Sequence, residues 1–375
     1  MGTVAYFVAG EHSGDTRGAE LMGALRERRP DWEFAGLGGP KMRALGGDAV
    51  RDWVEDAAVV GLWEVLKRYG WFKRRFEETK AEIARRDPDA VILVDYPGFN
   101  LRLARALREG GSRCRIIDYI SPQVWAWNKG RIPRMARWLD LMLCLFPFER
   151  EMFESAGLKT VWMGHPLVDQ LEAERIPAER GASLVGLFPG SREREVARLF
   201  PLMLETARSL AGAGWTFEAS AASAGLAATM RRLVDDSGLQ GVVEVREGDC
   251  HGLMQRATCG VVASGTATLE AAFYGMPYCL VYKVAWPTFW VARMVVNLDH
   301  IGIVNILAGR QVVPEFVQGD ARADDVAAWI ADSMRSPGRR SEMSAELLET
   351  AAKLGEGGAA GRAAEAIIEL LEHRE

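Results

Sequence analysis

Residues 264–270 read Ser-Gly-Thr-Ala-Thr-Leu-Glu and follow a run of small apolar residues. A strand that ends in such a turn and re-enters as a helix offers free backbone N–H groups and a partial positive charge to an anion above it. Ser264, Gly265 and Thr266 are small enough for a phosphate to approach the chain closely. Glu270, about one turn further on, could accept hydrogen bonds from sugar hydroxyls. A tight turn with threonine caps and no ligand is the plainer reading of the same residues. A second such place is Pro189-Gly190-Ser191-Arg192-Glu193-Arg194-Glu195. An arginine there can hold a diphosphate through two parallel hydrogen bonds and offset charge developing on a leaving group. Arg192 sits nearer the turn and is favoured over Arg194, which reads as a solvated surface residue, and Ser191 is the expected helix cap.

Asp95 closes the run Val-Ile-Leu-Val and precedes Tyr-Pro-Gly, so its carboxylate should project from a sheet edge beside a turn. Partly desolvated, it could act as general base toward a hydroxyl nucleophile. An Asx-turn over residues 95–98 is the competing reading. In the loop Gly10-Glu11-His12-Ser13-Gly14-Asp15, which also follows an apolar run, the two glycines suit an anion-accepting loop. Asp15 in that loop reads equally well as a plain N-cap.

These residues all fall just after strand-like runs, where open parallel sheets bind ligands. The first half carries such runs around residues 3–10, 89–97, 113–121 and 141–147, with helices predicted over 15–28 and 100–109. The second half repeats the scheme around 182–190, 215–222, 242–248, 258–265 and 277–284. Near-continuous apolar runs separated by helical crossovers describe strands buried on both faces of a parallel sheet. The fold class is therefore α/β, with two Rossmann-like doubly wound domains facing a cleft. The predicted divisions are 1–165 for the first domain, 166–355 for the second, and a C-terminal helix over 356–375. That helix follows the Gly-rich break at 355–361 and should pack back on the first domain or on a partner chain.

The 375 residues are too many for one ordinary core and fit two domains. A formal charge of -5 argues against bulk nucleic-acid binding. The five cysteines, Cys114, Cys144, Cys250, Cys259 and Cys279, are scattered and read as reduced core residues of a cytoplasmic protein. Neither CxxC nor HExxH occurs, so no metal is expected. Gly36-Leu37-Gly38 is only a partial match to GxGxxG, with Lys41 where the third glycine belongs, and the Walker pattern is absent. A dehydrogenase and a P-loop hydrolase are therefore disfavoured. No signal peptide is expected, and no apolar stretch reaches the ~18 to 20 residues that a membrane span needs. Two segments nonetheless carry unusual apolar bulk beside Lys and Arg, one with Val60, Leu62 and Trp63, the other with Phe289 and Trp290. They suit a lipid headgroup interface and acyl chains, and equally an ordinary core or dimer helix.

Taken in order, AGEHSGD, VDYPGFN, YISPQVWAW, FPFE, GHPLVD, FPGSRERE, SGTATLE and VNILAGRQVVPEFVQ resemble the lipid-A-disaccharide synthase family over roughly residues 5 to 320. The resemblance implies an inverting glycosyltransferase of GT-B architecture. Such an enzyme joins UDP-2,3-diacylglucosamine to 2,3-diacylglucosamine 1-phosphate, giving a β-1,6-linked disaccharide 1-phosphate and UDP, without a cofactor. It implies Asp95 as base, Arg192 on the diphosphate, and a UDP phosphate turn of Ser264, Gly265, Thr266 and Thr268 with Ser191 nearby. Glu270 would meet the ribose, and Asn305 would help form the nucleotide side. Gly10, Glu11, Ser13, Gly14 and Asp15 would form the acceptor side, with Glu11 the alternative base. It further implies a peripheral enzyme at the cytoplasmic face of the inner membrane and a possible homodimer with exchanged C-terminal segments. His12, Gln123 and Asn128 depart from the family pattern and touch only acceptor-side detail. Another GT-B enzyme, such as a UDP-sugar epimerase, and a non-catalytic nucleotide-sugar-binding protein are the alternatives.

Overall fold

The computed structural model describes residues 2–57, 68–177, 180–285 and 299–373. The chain divides into two compact units, Met1–Pro166 with Glu356–Glu375, and Leu167–Gly355. Each is built on a wholly parallel sheet with helices between its strands.

In the first unit the strands are β1 (Val4–Ala9), β2 (Glu33–Gly38), β3 (Val50–Asp52), β4 (Ala90–Val94), β5 (Arg115–Tyr119), β6 (Leu141–Cys144) and β7 (Thr160–Trp162), in the order β3-β2-β1-β4-β5-β6-β7. The apolar runs are buried on both faces because alternate residues enter different cores. Tyr6, Val8, Val91, Leu93 and Ile116 share one, while Ala5, Phe7, Ile92, Val94, Ile117 and Tyr119 share the other. The Gly36-Leu37-Gly38 sequence that partly matches a nucleotide fingerprint is the end of β2. Gly36 pairs with Phe7 of β1, and a Cβ on it would lie 1.9 Å from the Phe7 carbonyl oxygen, so glycine is required for strand approach. Strands β2, β3 and β7 escape the hydrophobic reading because they are short or broken by glycine.

In the second unit β8 (Leu184–Phe188), β9 (Thr216–Ala221), β10 (Val243–Glu247), β11 (Cys259–Ala263), β12 (Tyr278–Tyr282) and β13 (Glu315–Val317) run in the order β10-β9-β8-β11-β12-β13. In both sheets the order reverses beside the first strand, which opens a crevice at the strands' C-terminal ends.

Buried carboxylates fix several of the turns after strands. Asp15 is neither a cap of its own helix nor part of an anion-accepting loop. It lies inside helix His12–Arg28, is 3% exposed, and reaches sideways to the start of helix Pro40–Gly46. Its Oδ1 accepts from the N–H groups of Gly39 (2.8 Å) and Met42 (3.0 Å), and its Oδ2 from that of Lys41 (3.0 Å). Gly39 at the cap position has no side chain to accept from that short helix, so the acid comes from a neighbour. Glu149 does the same after β6. It accepts from the Leu145 and Phe146 N–H groups, the Ser121 hydroxyl and the Trp125 indole, all within 3.1 Å. The YISPQVWAW and FPFE segments are thereby tied into one buried network.

Helix Ala359–Glu372 completes the first unit's core. Ala363, Ala364, Ile367 and Leu371 pack with Leu21, Met22 and Leu25 of helix His12–Arg28, and Arg28 pairs with Glu365 at 3.1 Å. Among the described residues no helix is long and apolar enough to cross a membrane.

Replacing Asp15 by Ala strands three N–H groups and should destabilise the first unit by about 3 kcal/mol. Asp15→Asn, which keeps one acceptor oxygen, should cost less. The urea midpoint of the first unit's transition measures this, and an unchanged midpoint for Asp15→Ala would refute the capping role.

Candidate functional site

The second unit holds a cavity of about 450 Å³ at the C-terminal ends of β8, β9, β10 and β11. Three segments form its polar wall. The first is the turn after β11, where Ser264, Gly265, Thr266 and Ala267 line the cavity ahead of helix Ala267–Phe273. Gly265 has φ +153°, which strains any side chain, yet a Cβ there would meet nothing within 4 Å. Backbone conformation, rather than crowding, therefore selects glycine at this position. Among the described residues the N–H groups of Gly265, Thr266 and Ala267 have no protein acceptor. Thr268 does not reach the cavity. It is fully buried and donates its hydroxyl to the Gly265 carbonyl at 2.7 Å, closing the turn from inside.

The second segment begins helix Glu193–Ser209, and Gly190, Ser191, Arg192 and Glu195 line the same cavity. Ser191 is not the cap. Arg192 occupies that position, and Glu195 reaches back to accept from the Ser191 N–H (3.1 Å) and the Arg192 guanidinium (3.0 Å). The expectation fails because the helix starts one residue later than a Ser191 cap requires, and Glu195 bonds back to the chain ahead of it. Arg192's side chain is 74% exposed, and an ion pair so exposed is worth about 0–1 kcal/mol. The guanidinium is thus held near the cavity yet released at little cost. Arg194 does not line it.

The third segment was not legible as a site in the sequence. Helix Cys250–Arg256 follows β10 and brings Cys250 and His251 to the cavity. His251 Nδ1 lies 2.6 Å from Glu174 and its Nε2 lies 3.3 Å from Glu270. The hydrogen bond with Glu270, reinforced by Glu174, outweighs partial burial and lifts the imidazole to about 9. The residue is therefore an imidazolium at neutral pH. Glu174, His251 and Glu270 are far apart in sequence, and only the fold converges them. Cys250 behaves differently from its fellow cysteines in meeting the cavity, and burial pushes its thiol up to about 12, which leaves it protonated.

Asn305 departs from its expected role. It is fully buried and its carboxamide is saturated by protein. Its Nδ2 donates to the Val313 carbonyl and Glu315 (2.8 Å each), and its Oδ1 accepts from the N–H groups of Val312 (2.8 Å) and Val313 (2.9 Å). With four bonds made, nothing remains for a ligand. Glu315 also accepts from the Ile301 and Gly302 N–H groups, so the pair fixes the start of helix Ile303–Ala308.

The first unit has its own cluster at the ends of β1 and β4. Asp95 and Tyr96 both take left-handed backbone conformations, φ 47° and 61°, an uncommon pair of the kind found at functional sites. Asn100 clamps the strained turn by donating to the Val8, Val94 and Asp95 carbonyls. Asp95 Oδ1 accepts from the next N–H, that of Tyr96, at 2.9 Å, and the competing Asx-turn does not form, because Pro97 has no N–H to donate. Burial raises its carboxyl above the ordinary aspartate value, against that one hydrogen bond. Gly10 lies under the Tyr96 ring, where a Cβ would come within 2.4 Å. Glu11 caps helix His12–Arg28 by position and, with burial, raises the Tyr96 phenol to about 12. Ser13 is exposed on the first turn, and Gly14 packs against Ala9 and Val94. Val60, Leu62, Trp63, Phe289 and Trp290 lie outside the described residues.

Comparison with known proteins adds a sequence-level match. The family model described as lipid-A-disaccharide synthetase matches residues 5–364. A lipid-A-disaccharide synthase of Geobacter sulfurreducens is 40% identical over 97% of this chain and 96% of that protein. One of Myxococcus xanthus is 38% identical over 97% and 96%. Among solved structures, the S. aureus MnaA–UDP co-structure aligns with TM-score 0.63 at 12% identity, covering 99% of this chain and 97% of that one. A ugt transferase from Siraitia grosvenorii in complex with UDP aligns with TM-score 0.57 at 13% identity, covering 99% and 100%. At those identities the likeness is one of fold.

The saturation of Asn305 predicts that Asn305→Ala acts chiefly on stability, at about 3 kcal/mol for the buried partners left unpaired. Thermal melting of the purified variant checks this. A variant of wild-type stability that has lost nucleotide affinity would instead make Asn305 a direct contact.

Proposed function

The chain belongs to the lipid-A-disaccharide synthetase family, and from that premise we propose how its residues divide the work of joining two acylated sugars. The protein is a glycosyltransferase of lipid A synthesis that uses a UDP-sugar donor. The proposed donor is UDP-2,3-diacylglucosamine and the proposed acceptor 2,3-diacylglucosamine 1-phosphate. The acceptor 6-hydroxyl attacks the anomeric carbon, the bond from that carbon to UDP breaks, and configuration inverts to the β-1,6 link.

One observation carries the donor assignment. Arg192, the open N–H groups of the 264–267 turn and Glu270 line the same cavity. Backbone donors and a guanidinium that is easily freed suit a diphosphate, whose negative charge grows as UDP departs. A carboxylate at the other end suits a ribose diol. In the first unit Asp95 is the proposed base. Its carboxylate takes the acceptor's proton, a task that its desolvated position favours by raising its proton affinity. Tyr96, next to it in sequence, and Gly10 and Glu11 beside the Tyr96 side chain are assigned to the acceptor. The proposed location is the cytoplasmic face of the inner membrane, which the acyl chains of the proposed substrates suit, with the segments holding Trp63 and Trp290 as the assigned contacts. A homodimer exchanging helix 359–372 would reuse the contacts that helix makes with His12–Arg28.

Asp95→Ala should lower turnover by orders of magnitude with UDP-sugar binding retained, measured by mass spectrometry of the disaccharide product and by titration calorimetry with UDP. Unchanged turnover removes Asp95 as base. Because the base must be ionised and its carboxyl is raised, wild-type turnover should fall on the acid side at a pH above the ordinary aspartate range. A pH–rate profile flat through that region would contradict the assignment. Arg192→Ala should cut kcat/KM by about a hundredfold or more, and a variant within a few-fold of wild type would sink its diphosphate role.

A further inference from the structure

The chain Glu174–His251–Glu270 has no part in the reaction just described, yet it ends on the carboxylate assigned to the ribose. Glu270 is largely buried, its side chain 15% exposed, and among the described residues His251 is its one side-chain partner. The imidazole Nε2 stands 3.3 Å from Glu270 Oε2, and among the described residues Oε1 has no protein hydrogen bond. On the other side of the ring Glu174 holds Nδ1, so both ring nitrogens are committed and the ring cannot turn away. Gln255 steadies the backbone of the same turn by donating to the His251 carbonyl at 3.2 Å, and its amide also reaches the Glu174 carbonyl at 3.0 Å. Tyr274 closes one side, its ring centroid 5.9 Å from the imidazole. A neutral side chain in this place would leave Glu270 desolvated without a counter-charge and free to rotate.

We propose that His251, clamped by Glu174, is the positioning residue that holds the Glu270 carboxylate aimed, so that its Oε1 reads the hydroxyls of the nucleotide's ribose. This rests on the donor reading above. The imidazole stays charged to about pH 9, which keeps the clamp intact across the neutral range. Nothing in the local sequence marks His251, since its two partners come from a loop 77 residues before it and a helix 19 residues after it.

The test is the ratio of affinities for UDP and 2′,3′-dideoxy-UDP, measured by titration calorimetry on the full chain, with donor kinetics alongside. Wild type should prefer UDP by about tenfold or more. His251→Gln should reduce that preference to within about twofold by weakening UDP alone, and should raise the donor KM with little change in kcat, as Glu270→Gln should. The double variant should be no worse than either single one, because both remove the same contact. Glu174→Gln removes only the half-exposed outer carboxylate, so it should fold normally, and it should lower the preference about threefold. If Glu270→Gln abolishes the preference while His251→Gln and Glu174→Gln keep it, the clamp is refuted and the donor reading survives. If His251→Gln weakens both nucleotides equally, its role is structural and the proposal fails. If wild type does not distinguish the two nucleotides, the ribose assignment of Glu270 and the clamp fall together.

Discussion

Every strand-to-helix turn of a parallel sheet ends in backbone N–H groups that the helix cannot satisfy, and in this chain the answer is repeatedly a carboxylate. Asp15 serves the turn after β2, Glu149 the turn after β6, Glu195 the start of the helix after β8, and Glu315 the turn before helix Ile303–Ala308. Each acid comes from a different element or from further along the helix, so meeting the N–H groups also fixes where neighbouring segments lie. The loops at the sheet ends, which would otherwise be free to move, become rigid platforms. The turn after β11 stands apart, because among the described residues the N–H groups of Gly265, Thr266 and Ala267, which line the cavity, have no protein acceptor.

That difference sorts residues that look alike in sequence. Ser191 and Thr268 both resemble caps or phosphate contacts, yet one yields its donors to Glu195 and the other turns inward to the Gly265 carbonyl. Asn305 and Glu270 are both polar residues on short helices after strands. One is saturated by Glu315 and the 312–313 backbone, whereas among the described residues the other keeps an oxygen open, because His251 meets only its Oε2. Hydrogen-bond capacity, counted atom by atom, separates a residue that shapes the site from one able to meet a ligand.

In the first unit the constraint is conformational. Two consecutive left-handed residues, Asp95 and Tyr96, cost of order 1–3 kcal/mol each and persist only if the surroundings insist on them. Asn100 insists by gripping three carbonyls at once, and Tyr96 adds a hydroxyl bond to Ala57 at 3.1 Å. The result turns the Asp95 carboxylate away from an Asx-turn and leaves it desolvated, which raises its affinity for a proton.

Much of this was legible without coordinates. Long apolar runs such as Ala90–Val94 and Cys259–Ala263 announce buried parallel strands because both faces are covered, and the residues that follow them fall at the sheet ends by topology alone. That is enough to place Asp95, Arg192 and Ser264 to Glu270 just beyond the C-terminal ends of their strands. The short strands β3, β7 and β13 were silent, since three residues carry too little periodicity to register. The partners of polar atoms were silent as well. Whether Asp15 caps its own helix or a neighbour's, whether Asn305 is spent or available, and whether a histidine stands behind Glu270 depend on groups tens of residues away. Fold class and the residues able to act follow from local pattern alone. Which of those residues still has a donor or an acceptor to offer follows from the packed fold, because hydrogen-bond satisfaction is settled by long-range contacts.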